Sequence, residues 1–333
     1  MDSVAMLPET RRGEVPAILP YSRIVGQETL RLALEIAYVA PAVGGVLATG
    51  QRGTAKSTTV RAFSKMLTGR LPVTLPIGAT DDRVLGGWRV DALMESKAVR
   101  MPGLIEEAGS GDESGMLYID EVNLLDDHLV NIILDVASTG ILNIQRDSIN
   151  QDALPVRFSL VGTMNPEEGS LRPQLLDRFG LVVPVESSRD PEARASILKT
   201  VLRFEEELYE GRTDYLSEGY AEDLTRKTEL EQAKQRFTAL SVSDSIMNLV
   251  ADVAAAFSVE GHRGELVMIR AARALAAIRN AKEVRAEHIA TVAPLALIHR
   301  RAVGETGTLP PWSSEDAELL QQHLASMKST QSD

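Results

Sequence analysis

The sequence predicts an α/β domain built on a parallel five-stranded sheet with β-hairpin insertions, followed by an all-helical domain. Between residues 19 and 187, short apolar runs alternate with stretches long enough to form helical crossovers. This alternation is typical of a parallel sheet covered by helices on both faces. From residue 188 to residue 333 the sequence is charged and rich in alanine, with apolar residues at helical spacing. Residues 1–18 are polar and contain two prolines, so we expect a flexible N-terminal arm.

Five runs are candidate strands, and several are apolar at consecutive positions, as expected for strands buried on both faces. They are VGGVLATG (43–50), PVTLPIG (72–78), GMLYIDE (115–121), RFSLVGTMN (157–165) and GLVVPVE (180–186). Residues 86–108 and residues 140–155 interrupt this plan. We expect each insertion to form a β-hairpin that projects from the sheet, the alternative being a surface loop without a role.

Four segments of the C-terminal region predict amphipathic helices, because their apolar residues recur at i, i+3 and i+4. They are residues 193–210, 243–260, 265–284 and 286–303. Gly261 and Gly264 separate the second segment from the third. We therefore expect residues 188–333 to form a helical domain of their own.

Composition excludes several classes of function. The chain has 333 residues and no cysteine, so disulfides, thiolate metal sites and catalytic thiols are excluded. A net charge of −12 and an aromatic content of 4% argue against a nucleic-acid partner. No apolar run reaches the ~18 residues needed to span a bilayer. We expect no membrane span and a cytoplasmic location, or the plastid stroma if the source is eukaryotic.

The segment GQRGTAKST (50–58) has the spacing of a phosphate-binding loop between a strand and a helix. Lys56 is expected to contact the β- and γ-phosphates of ATP, and Ser57 to offer its hydroxyl to Mg²⁺. Ala55 stands where this motif usually has a second glycine. We expect Ala55 to have a negative φ, because a left-handed alanine costs about 1–2 kcal/mol. The candidate nucleotide-binding residues of the loop are Gly50, Gln51, Arg52, Gly53, Thr54, Ala55, Lys56, Ser57 and Thr58.

Two carboxylates end the apolar strand GMLYIDE. Asp120 is the candidate metal residue, which would hold Mg²⁺ through water, and Glu121 is the candidate base that polarises the attacking water. An Asp-Glu pair in an ordinary turn is the alternative. Asn165 ends the next predicted strand along the chain and could orient that water. Its alternative is a turn-forming asparagine before Pro166.

Arginines complete the candidate site. In LRPQLLDRFG (171–180), Arg178 and Arg172 follow the strand that ends at Asn165. Arg178 is a candidate finger that reaches the γ-phosphate of a neighbouring subunit, and a surface pair with an acidic residue is the alternative. Arg263 opens a predicted helix and could turn back onto the nucleotide. Arg270 and Arg273 are its alternatives, and basic residues on a helix surface are the other interpretation.

Residues Ile24 and Val25, in the segment IVGQE (24–28), precede the phosphate loop. They could pack against the adenine ring of the nucleotide. The alternative is that they belong to the ordinary hydrophobic core.

Together these motifs resemble the AAA+ ATPases from residue 24 to residue 263. More narrowly, they resemble the small ATPase subunits of magnesium chelatase, which support Mg²⁺ insertion into protoporphyrin IX in chlorophyll synthesis. The stretches that carry the resemblance are YSRIVGQETLRLAL, GGVLATGQRGTAKSTTVRA, LPIGATDDRVLG, PGLIEEA, GMLYIDEVNLLDDHLVNIILDVASTG, VGTMNPEEGSLRPQLLDRFGL and RGELVMIRAARALAA.

The resemblance implies an AAA+ fold in which residues 188–333 form the lid. It gives Asn165 and Arg263 the roles called sensor 1 and sensor 2 in that family. It also implies a ring of identical subunits, hexameric in most members. Two partners are implied as well: a second AAA+ subunit with an integrin-like domain, and a large porphyrin-binding subunit.

Three other functions share much of this motif set. One is a chelatase motor that serves a different metal, such as cobalt. Another is a MoxR-type chaperone ATPase, which has the same hairpins and the G-T-A-K loop. ATDDR and LRPQLLDRFG favour the magnesium-chelatase interpretation over the chaperone. A DNA-remodelling AAA+ protein is the third, and the negative charge weighs against it.

Overall fold

The computed structural model describes residues 17–88, 99–109, 115–143, 145–146, 149–150, 153–211, 214–301 and 311–330. Residues 1–16 of the predicted arm lie outside these ranges. In chain order the strands are β1 (Val46–Thr49), β2 (Val73–Leu75), β3 (Gly86–Trp88), β4 (Arg100–Pro102), β5 (Gly115–Ile119), β6 (Ile141–Leu142), β7 (Gln145–Arg146), β8 (Ile149–Asn150), β9 (Leu154–Pro155), β10 (Phe158–Met164) and β11 (Leu181–Pro184). The α-helices are Glu28–Val39, Lys56–Thr68, Asp81–Leu85, Leu104–Gly109, Asp127–Thr139, Pro173–Leu176, Pro191–Glu210, Asp214–Ala239, Asp244–Ala256, Arg263–Ile278, Ala286–Leu297 and Ser314–Thr330.

Five of the strands form one parallel sheet in the order β11-β1-β10-β5-β2. Each lies within one of the five runs that the sequence predicts as strands. All seven residues of β10, the central strand, are buried, as expected for a strand covered on both faces. The predicted fold class is therefore confirmed. In this order the carboxyl ends of β1, β10 and β5 lie side by side.

The apolar side chains form one cluster on each face of the sheet. On β5, Tyr118 belongs to the first cluster, whereas Leu117 and Ile119 belong to the second, as strand alternation requires. The first cluster contains side chains from the helix Glu28–Val39 and from the C-terminal helices. The C-terminal helices thus complete the core of the α/β region. The predicted boundary between residues 187 and 188 stays a prediction.

Both predicted insertions contain antiparallel strands. In the first, β3 pairs with β4, and the helix Leu104–Gly109 lies where the prediction continued the insertion. Residues 89–98, between the two strands, lie outside the described residues. In the second insertion, β6 pairs with β9 and β7 pairs with β8. The β-hairpin character of both insertions is therefore confirmed in the described residues.

The four helices predicted after residue 187 are present, but the sequence analysis missed two others, Asp214–Ala239 and Ser314–Thr330. The first of these shows little apolar periodicity; it buries Leu230 and Ala233 in the first core cluster and is also held by polar contacts. Its Asp223 carboxylate accepts hydrogen bonds from the backbone N–H groups of Tyr21 at 2.9 Å and Ser22 at 2.7 Å. Among the described residues, no single helix is both long and apolar enough to cross a bilayer. One sharply bent pair of helices, Asp214–Ala239 with Asp244–Ala256, is long and apolar enough to do so only when the two helices are taken together.

A buried arginine fastens the C-terminal helices to the start of β11. Arg300, which is 8% exposed, donates from Nε to Asp177 Oδ1 at 3.0 Å. Its two terminal nitrogens donate to the carbonyls of Asp177, Phe179 and Gly180 at 2.7, 2.8 and 3.1 Å. Beside it, His299 Nε2 lies 3.0 Å from the carbonyl oxygen of Phe179. A buried cation with all these acceptors is well compensated.

His299 gives the fold a pH dependence. Burial lowers its pKa well below the ordinary value, and the neighbouring Arg300 charge lowers it further. The unfolded chain therefore takes up this proton first as the pH falls. The contribution of neutral His299 to the free energy of unfolding is complete above about pH 6.5. Below that pH it decreases by up to about 1.4 kcal/mol for each pH unit. Urea unfolding of His299→Gln, which keeps an N–H donor for Phe179, should show a shallower loss of stability than the wild type between pH 7 and pH 5.

The matched control is His262→Gln, because the His262 side chain is 90% exposed. This variant should follow the wild-type pH profile. Parallel profiles for His299→Gln and the wild type would show that His299 does not produce the acid sensitivity.

Candidate functional site

Ten of the sixteen predicted site residues meet in a cleft of about 290 Å³ at the carboxyl edge of the sheet. Because β1, β10 and β5 are parallel neighbours, the loops that succeed them open on the same side. The residues that line the cleft come from all three loops: Arg52, Gly53, Thr54, Ala55, Lys56, Ser57, Thr58, Asp120, Glu121, Thr163, Met164 and Asn165.

The loop after β1 closes around the amino group of Lys56. Its Nζ lies 2.6 Å from the Gly50 carbonyl oxygen, 2.7 Å from that of Gln51 and 3.2 Å from Thr54 Oγ1. Partial burial lowers the pKa of Lys56, and the nearby carboxylates, Asp120 first, oppose that shift. Gly50 is required here, since a Cβ on it would lie 2.1 Å from the carbonyl oxygen of Val185.

The prediction of a negative φ for Ala55 is wrong. Ala55 has φ 60° and ψ 17° and is the residue before the helix Lys56–Thr68. Its left-handed conformation starts that helix directly under the loop, and its carbonyl accepts a hydrogen bond from the Thr59 N–H at 2.9 Å. The alanine adopts this conformation at a cost of about 1–2 kcal/mol. The usual glycine avoids that cost.

Asp120 lies in a small network of hydroxyl groups. Its Oδ1 is 2.8 Å from the Tyr118 hydroxyl and 2.7 Å from Thr163 Oγ1. The Tyr118 hydroxyl is also 2.8 Å from Ser57 Oγ. Burial raises the pKa of Tyr118 to about 12, so the phenol keeps its proton. The sequence analysis missed Tyr118 and Thr163, although a polar residue two positions before Asp120 on a strand shares its face.

Glu121, the candidate base, has a left-handed backbone with φ 57° and ψ 61°. Its N–H donates to Thr163 Oγ1 at 3.2 Å. Its Oε1 lies 3.0 Å from a terminal nitrogen of Arg52, and that nitrogen lies 2.7 Å from Glu168 Oε1. A non-glycine residue in this conformation indicates strain held by its surroundings, which is frequent at functional sites.

Asn165 lies where the sequence predicts it, at the carboxyl end of β10. It is 6% exposed, and its Oδ1 accepts the Glu167 N–H at 3.3 Å. The side chain of Glu167 in turn accepts from Gln51 Nε2 at 3.0 Å. Asn165 is therefore both a cleft residue and the cap of a turn, so its two interpretations are compatible.

The segment that holds Ile24 and Val25 lies against the phosphate loop. Gln27 Nε2 donates to the Thr54 carbonyl oxygen at 3.0 Å. Ile24 is buried in the first core cluster, and Val25 is partly exposed. Neither is among the residues that line the cleft, so their contact with adenine stays a prediction.

The cleft suits a magnesium nucleotide by its donor chemistry. Backbone N–H groups at a helix start and one ammonium group match phosphate oxygens. A serine hydroxyl and a carboxylate are oxygen ligands of the kind that Mg²⁺ takes alongside phosphates and water. Among the described residues there is no cluster of three or more His, Cys, Asp or Glu that could hold a metal by itself.

Comparison with known proteins agrees with this geometry. A model described as AAA domain (dynein-related subfamily) matches residues 45–179, and one described as AAA lid domain matches residues 247–322. The magnesium-chelatase 38 kDa subunit of Rhodobacter capsulatus is 37% identical over 327 residues, which cover 88% of this chain and 91% of that protein. The chain belongs to the magnesium-chelatase subunit family of AAA+ ATPases. The cofactors of this family are ATP and Mg²⁺.

Two further family relatives are longer than this chain. The chloroplastic magnesium-chelatase subunit ChlI of Nicotiana tabacum is 37% identical over 89% of this chain and 76% of that protein. An uncharacterized protein of Mycobacterium tuberculosis is 42% identical over 85% of this chain. This chain matches only 44% of that mycobacterial protein and so spans less than half of it.

Two of the predicted arginines of this AAA+ chain form ion pairs outside the cleft. Arg178 pairs with Asp135 on the helix Asp127–Thr139, and its side chain is 30% exposed. Arg172 pairs with Asp127 at the start of the same helix, with 2.6 Å between Nε and Oδ2. Neither lines the cleft of its own chain, so the finger role of Arg178 stays a prediction.

The other predicted arginines lie on the helix Arg263–Ile278. Arg263 contacts Asp177, with 3.2 Å between a terminal nitrogen and Oδ2, and it is not among the residues that line the cleft. Arg270 and Arg273 donate to backbone carbonyls, those of Ala42 at 2.7 Å and Thr238 at 3.2 Å. A nucleotide contact by Arg263 stays a prediction.

The strain at Ala55 can be measured. Ala55→Gly should raise the free energy of unfolding by up to about 1 kcal/mol, because relief of the left-handed strain exceeds the added entropy of the unfolded chain. The control is Ala221→Gly on the exposed surface of the helix Asp214–Ala239. There the same change should lower stability by about 1 kcal/mol. Urea unfolding measures both, and a loss at both positions would contradict the left-handed assignment.

Proposed function

We propose that this chain is the ATP-hydrolysing motor subunit of a magnesium chelatase, which inserts Mg²⁺ into protoporphyrin IX in chlorophyll or bacteriochlorophyll synthesis. The observation that carries the proposal is the meeting of the phosphate loop, Asp120, Glu121 and Asn165 in one cleft. This cleft lies in a chain that matches chelatase subunits over most of its length. The inserted metal ion and the porphyrin are substrates of the whole complex, and this subunit supplies the free energy of ATP hydrolysis.

Five cleft residues have assigned roles in hydrolysis. Bound Mg²⁺ would neutralise developing phosphate charge, with Ser57 and Asp120 as the residues that hold it. Lys56 exchanges its three loop acceptors for phosphate oxygens. Glu121 takes the proton of the attacking water once Arg52 releases its carboxylate, and Asn165 orients that water.

The proposal includes an assembly. The subunits form a ring, which is hexameric in our proposal, and work with a second AAA+ subunit that carries an integrin-like domain. A large subunit binds the porphyrin. The complex acts in the cytoplasm, or in the plastid stroma of a eukaryote. No nucleic acid is required.

Reconstitution distinguishes this function from its alternatives. The chain is mixed with candidate partner subunits, deuteroporphyrin, ATP and either Mg²⁺ or Co²⁺, and the metalated product is monitored by absorbance. We expect product with Mg²⁺ that disappears with Lys56→Ala. Product with Co²⁺ alone would identify a cobalt chelatase motor. ATPase activity without either product, in the presence of partners that complement a known chelatase motor, would favour the MoxR-type chaperone.

Glu121→Gln should separate nucleotide binding from hydrolysis. The amide cannot accept the proton of water, whereas Asp120 and Ser57 remain in place for the metal. ATP affinity should stay within about threefold of wild type, while turnover falls by about 10²-fold or more. Equilibrium binding and steady-state phosphate release measure the two. An equal loss of binding would show that Glu121 holds the nucleotide or the structure instead.

The position of Arg178 supports action between subunits. Its guanidinium is partly exposed and pairs with the exposed Asp135 rather than with any residue of its own cleft. A neighbouring subunit's γ-phosphate would have to displace Asp135. A finger of this kind contributes about 10³–10⁵ in rate, so Arg178→Ala should assemble and bind ATP but turn it over slowly.

Mixing two inactive variants tests this arrangement. Lys56→Ala has a defective phosphate loop and an intact Arg178, whereas Arg178→Ala has the reverse. In a mixed ring some interfaces combine an intact loop with an intact arginine, so ATPase activity should return.

Fluorescently labelled subunits verify that the two variants exchange. If labelled subunits mix and activity stays at the level of the single variants, the proposal of action between subunits is wrong for a ring whose sites fire independently. A matched mixture of Lys56→Ala with Glu121→Gln serves as the control, because every cleft in the mixed ring carries one of the two defects and no active site becomes whole.

A further inference from the structure

The Tyr118 hydroxyl lies between the two side chains assigned to the metal. It is 2.8 Å from Ser57 Oγ and 2.8 Å from Asp120 Oδ1. No direct hydrogen bond joins Ser57 to Asp120 among those found in the described residues. The phenol is therefore the connection between the phosphate loop and the carboxylate at the end of β5.

The backbone fixes this position. Tyr118 and Asp120 are two residues apart at the end of β5, so they project to the same side of the sheet. The tyrosine side chain is fully buried in the first core cluster together with Val60 and Phe63 of the helix that begins at Lys56. The ring cannot move away from the site without disturbing that core.

The number of available protons sets the direction of each hydrogen bond. An ionised carboxylate only accepts hydrogen bonds, and a phenol has one proton. Asp120 is the stronger acceptor because it is charged, so Tyr118 donates to Asp120. The hydroxyl proton of Ser57, which rotates to suit its partner, then points at the phenol oxygen. The lone pairs of Ser57 Oγ then point away from the Tyr118 hydroxyl.

We propose that Tyr118 is a positioning residue for the metal of this ATPase site: its hydroxyl accepts a hydrogen bond from Ser57 and donates one to Asp120, which orients both metal-holding side chains before the magnesium nucleotide arrives. The inference rests on the proposed nucleotide site. It adds a residue that acts through Ser57 and Asp120 and does not itself touch the nucleotide. Thr163 donates to the same Asp120 oxygen at 2.7 Å and accepts the Glu121 N–H at 3.2 Å, but no hydrogen bond found in the described residues joins it to Ser57.

The test is Tyr118→Phe, which removes one oxygen and keeps the ring. Binding of a fluorescent, non-hydrolysable ATP analogue is measured while Mg²⁺ is titrated, and again in excess EDTA. Loss of a group that orients metal ligands typically costs 10–100-fold in metal affinity. We expect the Mg²⁺ midpoint to rise by about tenfold or more, with the analogue affinity in EDTA unchanged. A variant that merely loosens the fold would lose affinity in both conditions.

Two companion variants sharpen the result. Tyr21→Phe removes another fully buried phenol oxygen, one that lies 3.3 Å from Glu35 Oε1 and outside the cleft, and it should leave the Mg²⁺ midpoint unchanged. Thr163→Val removes the other hydroxyl group that donates to Asp120. It leaves the Tyr118 oxygen in place as the acceptor for the Ser57 hydroxyl. Its midpoint should rise less than that of Tyr118→Phe. Equal increases in the two variants would show that the hydrogen bond between Ser57 and Tyr118 does not contribute to metal binding.

The possible failures are distinct. If the wild type does not bind the analogue at any Mg²⁺ concentration, the proposed ATPase function is wrong, and the inference about Tyr118 with it. If the wild type binds normally and Tyr118→Phe has the same midpoint, Tyr118 is only a packing residue and the proposed function stands. If Tyr118→Phe unfolds, a Thr163→Val midpoint that equals the wild-type value overturns the orientation of Asp120 by its hydroxyl partners.

Discussion

The parallel direction of β1, β10 and β5 is the constraint on which the rest of this structure depends. Three adjacent strands end at one edge, so residues far apart in the chain, Lys56, Asp120 and Asn165, come together in one cleft. None of the three needs a special local conformation to reach it. The chemistry then depends on the loops at the carboxyl ends of these strands, and there the backbone becomes strained, at Ala55 and at Glu121.

The polar side chains of the site hold one another in the arrangement the structure shows. Lys56 is bonded to its own loop, Glu121 to Arg52 and Asp120 to two hydroxyls. Each charge therefore has a partner in a partly buried setting, where an unpaired one would be costly. Nucleotide binding on this surface exchanges partners rather than creating interactions with free groups. The gain in binding free energy is the difference between the two sets of bonds.

Much of this arrangement is predictable from the sequence. Apolar runs and motif spacing predict the five sheet strands, the phosphate loop and the acidic strand end, because these depend on local pattern. The helix Asp214–Ala239 escapes prediction because its apolar residues show little helical periodicity. Asp223 and Arg226 also hold it through partners about 200 residues away, which no local pattern reveals. The sign of φ at Ala55 fails for a related reason. The tertiary structure of the loop holds Ala55 in a left-handed conformation, against the preference of the residue itself.

Arg300 restricts how the C-terminal helices can move relative to the segment that precedes β11. Its guanidinium holds one carboxylate oxygen and three main-chain carbonyls between Asp177 and Gly180, and Arg178 lies inside that segment. A rotation of the C-terminal helices about this point must either break those four bonds or carry the segment along as one rigid piece. A movement of the C-terminal helices that keeps these bonds would therefore move Arg178 as well, because Arg178 lies between the residues that Arg300 binds.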